Sequence, residues 1–261
     1  MTFEALSWLL APISGATTHD ISPWLSWHAR LMVLAWGIAL PAGVWVARFF
    51  KVTRRQEWPR ELDNKFWWHA HRAFQYSGVF LMSAGIALAW GRGGGLSLAS
   101  QVHAWLGWLL LVLGWFQIAG GLLRGSKGGP FDAAGQAVMP EQVRRGDHYD
   151  MTAHRLCFER WHKLLGYTAL MASLLTINLG LVLADAPRWM WLSLWVWWVA
   201  WIISFAVLQM QGRCIDTYQA IWGPGLQHPG NRMGPWGWGM RRYPADAEAT
   251  QEWATGHPDR G

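Results

Sequence analysis

From Trp24 to Phe50 the sequence is almost wholly apolar, interrupted by few charges. At 1.5 Å per residue in a helix, that run is long enough to cross roughly 30 Å of bilayer hydrocarbon. Four further runs follow: Phe66 to Trp90, a segment ending at Leu123, about Ala153 to Leu183, and Trp189 to Met210. Backbone in lipid must satisfy its own hydrogen bonds, so only helices or closed barrels span it, and these continuous runs lack the alternation of barrel strands. The expected fold class is all-α: a polytopic membrane helical bundle of four core helices plus a fifth span. Composition agrees, with 52% hydrophobic and 15% charged residues and 23 tryptophans against 5 tyrosines. The mean hydropathy of +0.08 does not oppose this, because averaging penalises tryptophan and the basic loops.

Punctuation between the runs is consistent. Ser22-Pro23 reads as an N-cap followed by a first-turn proline, Asp63-Asn64 as a cap for the second span, and Ser97 or Ser100 as a cap for the third. Pro41 lies inside the first span and is expected to kink it, with neighbouring helices satisfying the freed carbonyl. The connector between Leu123 and Ala153 is polar, contains glycine and exceeds ordinary helix connections in length, which marks it as functional or flexible. Asp185-Ala186-Pro187 ends the fourth span. Residues 1–22 start with no Lys or Arg, unlike a secretory signal, and are expected to remain as an interfacial segment. Residues 23–210 form the five-span domain, and residues 211–261 a cytoplasmic Gly/Pro/Trp-rich tail, ordered at its start and disordered at its end. Cys157 and Cys214 are too few for a disulfide framework and are expected as free thiols.

Lysine and arginine are unevenly placed. Arg48, Lys51, Arg54, Arg55, Arg60 and Lys65 flank the first linker, and further clusters occupy the long connector and the tail, whereas the opposite loops hold only Arg92 and Arg188. The positive-inside rule then sets the N-terminus outside and the C-terminus in the cytoplasm, with the bacterial inner membrane as the expected location. The formal charge of +6 is a topology signal and a contact with anionic membrane lipid, not a sign of nucleic-acid binding.

Each of the first four spans carries one histidine near its entrance: His28, His71, His103 and His162. His28 and His103 enter from one side and share a depth; His71 and His162 enter from the other and share the opposite depth. Two imidazoles at one level on facing helices are what a bis-histidine haem needs, so topology pairs His28 with His103 and His71 with His162. The blander role for a membrane histidine is interfacial placement or helix-to-helix hydrogen bonding. With both axial positions filled by protein, such an iron has no open site and shuttles single electrons. Arg30, Arg72 and Lys163 each lie within two residues of a ligand candidate and can either meet haem propionates or snorkel to the interface. Gln75, one turn after His71, is placed to bond across the bundle or near the inner haem. His69 and His154 read as interfacial. Gly78, Gly85, Gly107, Gly114, Gly120, Gly121 and Gly166 either admit a flat macrocycle or allow close helix packing.

At these residues the chain resembles the cytochrome b561 family, in particular the transmembrane domain found with DOMON modules and in ferric-reductase-like proteins. The resemblance covers about Trp27 to Leu183. His28 with Leu31-Met32, Ala35-Trp36-Gly37, Pro41, Gly43 and Ala47-Arg48 is similar to the first core helix. His71 with Gln75, His103 with Leu106-Gly107, and His162 with Leu165-Gly166-Tyr167 are similar to the next three. The resemblance implies two haem b groups and electron transfer from an ascorbate or quinol donor on the cytoplasmic side. The outer acceptor would be monodehydroascorbate, a ferric chelate or a redox protein. Ala29 stands where the family usually has glycine, and no DOMON module precedes the first span, so an exported partner domain is expected to be separate or absent. Lys65 and Arg72 could form an anionic-donor site, although basic residues there are also what topology predicts. Alternatives are a haem-carrying anchor subunit of a larger redox complex and a haemless structural membrane protein.

Overall fold

The computed structural model describes residues 3–16, 20–92, 95–129, 146–226 and 228–244. The expected disordered end of the tail lies outside these residues. Among them the chain is helical and holds no strand: α1 (Phe3–Leu10), α2 (Pro23–Met32), a π-helical stretch (Val33–Ala39), α3 (Leu40–Phe49), α4 (Phe66–Ala89), α5 (Leu98–Leu122), α6 (Ala153–Leu183), α7 (Arg188–Met210), and the short α8 (Thr217–Trp222) and α9 (Pro229–Arg232). Pro23–Phe49, α5, α6 and α7 are each long and apolar enough to cross a membrane. The remaining expected span, the second in sequence, is α4, which forms over 24 residues, about 36 Å of helix. Its first turns carry His69, His71, Arg72 and Gln75 in place of aliphatic residues, and it falls short of the apolarity of the other four. The chain is an integral membrane protein of the helical-bundle class.

Local chemistry sets the helix ends. Proline occupies the first turn of α2; Asn64 Oδ1 accepts the Phe66 N–H at 2.9 Å before α4; Ser97 Oγ accepts the Ser100 N–H at 3.2 Å before α5. These bonds satisfy donors that the first helical turn leaves open.

Packing divides the chain into two units, each drawing on the same long helices. One comprises residues up to Val44, Arg72–Ile118 and Leu164–Ala206. Its core is built from Ala35, Trp36, Leu40, Val79, Met82, Leu110, Ala169 and Ile177, among others. Here the proline leaves a π-helical stretch and a freed carbonyl. Pro41 has no N–H for the Gly37 carbonyl, the backbone takes the wider π-helical turn, and Trp197 Nε1 of α7 donates to that carbonyl at 2.8 Å. The Leu40 carbonyl accepts from Gln75 Nε2 of α4 at 3.1 Å. In the same unit α1 buries no residue and is tied to the α6–α7 turn: Arg188 donates to the Trp8 carbonyl at 3.1 Å, and Ser14 bonds the Asp185 carboxylate.

The second unit comprises Trp45–His71, Ala119–Lys163 and Val207–Gly261. The first linker and the tail fold together around Val52, Trp58, Ile215, Ala220 and Tyr243. Asp216, 1% exposed, is the hub: its carboxylate caps α8 at the Tyr218 N–H and pairs with Arg242 Nε at 2.8 Å. Lys51 is buried and donates to the Ile215 carbonyl at 3.0 Å, and burial, offset in part by Cys214, lowers its pKa to about 8. Cys157 is exposed and Cys214 buried, both as free thiols. His228 stacks on Trp222, with ring centroids 4.4 Å apart, and on Tyr218.

Two outcomes follow from these contacts. Trp197→Phe leaves the Gly37 carbonyl without its donor and should cost about 1 kcal/mol, read as a lower midpoint of thermal unfolding in detergent. The cost should shrink in a Pro41→Ala background, where position 41 regains an N–H; an equal loss in both backgrounds would exclude this role for the indole. Burial, with Asp216 opposing it and Arg242 adding to it, lowers the His228 pKa to about 4 from 6.5. The stability from burying neutral His228 is therefore complete above pH 6.5 and drains away as pH falls toward about 4. Burial and then the Arg155 charge push His148 in the same direction. The labelling rate of buried Cys214 relative to that of exposed Cys157, a ratio that cancels the falling thiolate fraction, should rise over that window, and less steeply in His228→Gln.

Candidate functional site

The helices bring the four histidines together in two pairs. His28 of α2 and His103 of α5 face each other with ring centroids 6.2 Å apart and planes at 72°. His71 of α4 and His162 of α6 do the same at 6.3 Å and 77°. An imidazole nitrogen binds a transition metal at about 2.0 Å, and a ring centre lies about 1.1 Å behind that nitrogen. Two imidazoles on opposite sides of one metal therefore have centroids roughly 6 Å apart. Both pairs meet that spacing.

In the first pair the remaining ring nitrogens are engaged. His28 Nδ1 lies 2.9 Å from the Gly85 carbonyl and His103 Nδ1 3.0 Å from the Thr176 carbonyl. A carbonyl can only accept, so each Nδ1 carries the proton and each Nε2 keeps its lone pair for a metal. In the second pair Phe158, one turn before His162, stacks on the His162 ring at 5.0 Å and 28°. Gly120 of α5 lies beside Phe158, where a Cβ would stand 3.7 Å from the Phe ring.

The space a flat cofactor needs is tested at the glycines. Gly107 and Gly166, each one turn past a ligand candidate on its own helix, meet nothing within 4 Å of where a Cβ would stand, and the same holds for Gly121. Gly78, Gly85 and Gly114 instead sit under Leu40, Met32 and Met82, so they serve close helix packing. The donor set and the open glycine positions fit a bis-imidazole porphyrin. Among the described residues no group of three or more His, Cys, Asp and Glu side chains could hold a bare metal ion.

The remaining expected site residues take various places. Arg30 stacks over Trp27 at 5.2 Å and Arg72 over Tyr76 at 5.4 Å. Lys163 pairs with Glu159 and lies 5.3 Å over Trp236. Gln75 bonds the Leu40 carbonyl, the cross-bundle role among the two weighed for it. Lys65 shares Asp63 with Lys127.

Sequence reasoning did not reach Glu159. Its carboxylate joins Lys163 on one oxygen and accepts the Tyr218 hydroxyl on the other, which ties the tail to the helix that carries His162. Burial, reinforced by the Glu159 charge, raises the Tyr218 pKa well above its ordinary value. The contact spans 59 residues of sequence, so no local motif announces it.

An all-helical integral membrane protein with two facing histidine pairs is the class this geometry defines. The chain is 26% identical over 168 residues to a cytochrome b561, DM13 and DOMON domain-containing protein of Arabidopsis thaliana, covering 64% of this chain and 16% of that relative. Two cytochrome b561 and DOMON domain-containing proteins of the same plant match at 26% over 184 residues (69% of this chain, 32% of the relative) and 25% over 166 residues (63% and 33%). These relatives bear out the resemblance to the cytochrome b561 family. The chain spans a third or less of their length. No family model matches it, and no solved structure does.

Tyr218→Phe removes a hydrogen bond to a buried carboxylate, worth about 1.5–3 kcal/mol. It should loosen the tail, read as faster thiol labelling of Cys214 with α-helical content unchanged. Unaltered labelling would show that the Asp216–Arg242 hub holds the tail alone.

Proposed function

We propose that the chain is a dihaem b-type cytochrome that transfers electrons across the membrane. The observation that carries this reading is the spacing of the two imidazole pairs, which suits one iron between each. His28 and His103 hold one group and His71 and His162 the other. A haem held by two imidazoles would supply single-electron exchange, with no position left for oxygen or substrate. The protein's part is to fix the ligands, to keep each metal-facing nitrogen unprotonated, and to exclude water. The Gly85 and Thr176 carbonyls do the second of these for His28 and His103. Arg30, beside His28 in sequence, supplies a cation for propionates, and Arg72 is retained in that role by its position next to His71.

In this reading α4 crosses the membrane with the other four long helices, the His28–His103 pair lies toward the outside, and the His71–His162 pair lies toward the cytoplasm. The basic linker and tail favour that direction. The donor is ascorbate or a quinol on the cytoplasmic side, near Lys65 and Arg72, and the acceptor outside is a ferric chelate, monodehydroascorbate or a redox protein.

The test is spectroscopic. Purified protein should show low-spin b haem, with two haems per chain by pyridine haemochrome. His103→Ala should lose one of them and His162→Ala the other. A folded protein without haem, or a His103→Ala variant with both haems intact, would sink the proposal. Stopped-flow mixing of the oxidised protein with ascorbate and with a quinol would then identify the donor.

A further inference from the structure

Gly180 of α6 lies directly beneath the His103 ring. A Cβ at this position would stand 3.0 Å from His103 Cε1, 3.6 Å from Nδ1 and 3.9 Å from Nε2. The first distance is shorter than the 3.5–4.0 Å at which carbon atoms ordinarily meet, so a side chain there would have to displace the imidazole. One turn earlier on the same helix is Thr176, whose carbonyl accepts the His103 Nδ1–H at 3.0 Å. The Thr176 hydroxyl is committed elsewhere, to the Ala172 carbonyl at 2.9 Å. The backbone oxygen alone therefore orients the ring, using a second lone pair beside its helical bond. For an imidazole edge to reach a carbonyl within a helix, the ring must lie along the helix surface. The residue one turn on is the one whose side chain would block it.

Glycine is not needed there for the backbone, since position 180 lies inside a regular 31-residue helix. In a helix interior glycine costs about 1 kcal/mol against alanine. Space for the ring is the compensation the structure shows. The opposite ligand is held by a comparable device: His28 Nδ1 bonds the Gly85 carbonyl, and a Cβ at 85 would run into Met32 Cε and stand 3.3 Å from Leu31 Cβ. Gly85 sets how near its helix comes to the helix bearing His28, whereas Gly180 acts on the ring itself.

We propose that Gly180 is a positioning residue for the His28–His103 pair: it admits the His103 imidazole to the Thr176 carbonyl and so aims Nε2 at the iron. This rests on the dihaem proposal above. In that setting it sets the tautomer and tilt of one axial ligand, a kind of support whose loss typically weakens metal retention about 10- to 100-fold.

The test is Gly180→Ala, an exchange that favours the helix by itself, so a loss cannot be assigned to helix propensity. The ferric electron paramagnetic resonance signal that His103→Ala abolishes should move or vanish in Gly180→Ala. Its haem should be lost to apomyoglobin about 10- to 100-fold faster. The signal that His162→Ala abolishes should stay in place, which also reports that the chain has folded. Both signals unmoved, with unchanged haem retention, would overturn the proposal. Should the variant fail to accumulate, electron–nuclear double resonance on the unaltered protein decides. A His103 Nδ1 proton that resists exchange in D2O supports the proposal, and one that exchanges at once overturns it. Unaltered protein with fewer than two haems would sink the dihaem reading itself, an outcome read before any variant is made.

Discussion

Backbone polar groups placed in hydrocarbon must find partners within the protein, and the irregular first span answers that demand. Pro41 removes the donor for the Gly37 carbonyl, and Trp197 supplies an indole N–H in its place. Gln75 spends its amide on the Leu40 carbonyl beside the same irregularity, and Trp115 Nε1 donates to Ser83 Oγ between α5 and α4. The same requirement governs the histidines. An imidazole carries one N–H and one lone pair, and burial is tolerable only when both are used. Backbone carbonyls take the N–H of His28 and His103, which leaves the two lone pairs for something held between the rings. The demand for satisfaction thus turns a half-buried pair of histidines into a defined ligand set.

Much of the helix layout was legible in the sequence, because span length and the caps before α4 and α5 are local properties, whereas Ser22 makes no side-chain cap before α2. The helices fall within a residue or two of the apolar runs, and the pairing of histidines follows from their depth alone. Apolarity was less transferable: the polar first turns of α4 set it apart from the other spans, although its histidine finds the expected partner. What sequence could not supply are contacts that depend on which helix lies beside which. Gly180 carries no signal of its own, being one glycine among 29, and its meaning comes only from a histidine placed 77 residues earlier on another helix. The role of Gly107 and Gly166 differs from that of Gly78 and Gly114 for the same reason, since the pattern within one helix does not say what stands opposite.

The tail shows the same limit from the polar side. Its Gly/Pro/Trp-rich start is expected to be ordered, and among the described residues it carries only the short α8 and α9. Yet Asp216, Arg242, His228 and Tyr218 organise it into a folded body with the first linker. Composition separates disordered from ordered segments by available apolar area. Here the aromatic rings of Trp58, Tyr218, Trp222 and Tyr243 provide that area, while one buried carboxylate fixes the chain path.

The two histidine pairs are alike in spacing and different in surroundings, and in the proposed dihaem cytochrome that difference would bear on how electrons are distributed between them. Neutral backbone carbonyls support His28 and His103, and Gly180 lies against the His103 ring. His162 lies on a turn that also carries Glu159 and Lys163, with Phe158 stacked on its ring. The potential of a bis-histidine haem responds to burial, hydrogen bonding and nearby charge. Uncompensated cations favour the reduced state, because reduction lowers the positive charge on the iron, and carboxylates oppose it. Glu159 pairs with Lys163 and so removes most of the field of the cation nearest His162 in sequence. Tyr218 then holds that carboxylate in place, so the folded tail is part of what sets the electrostatics around the second pair.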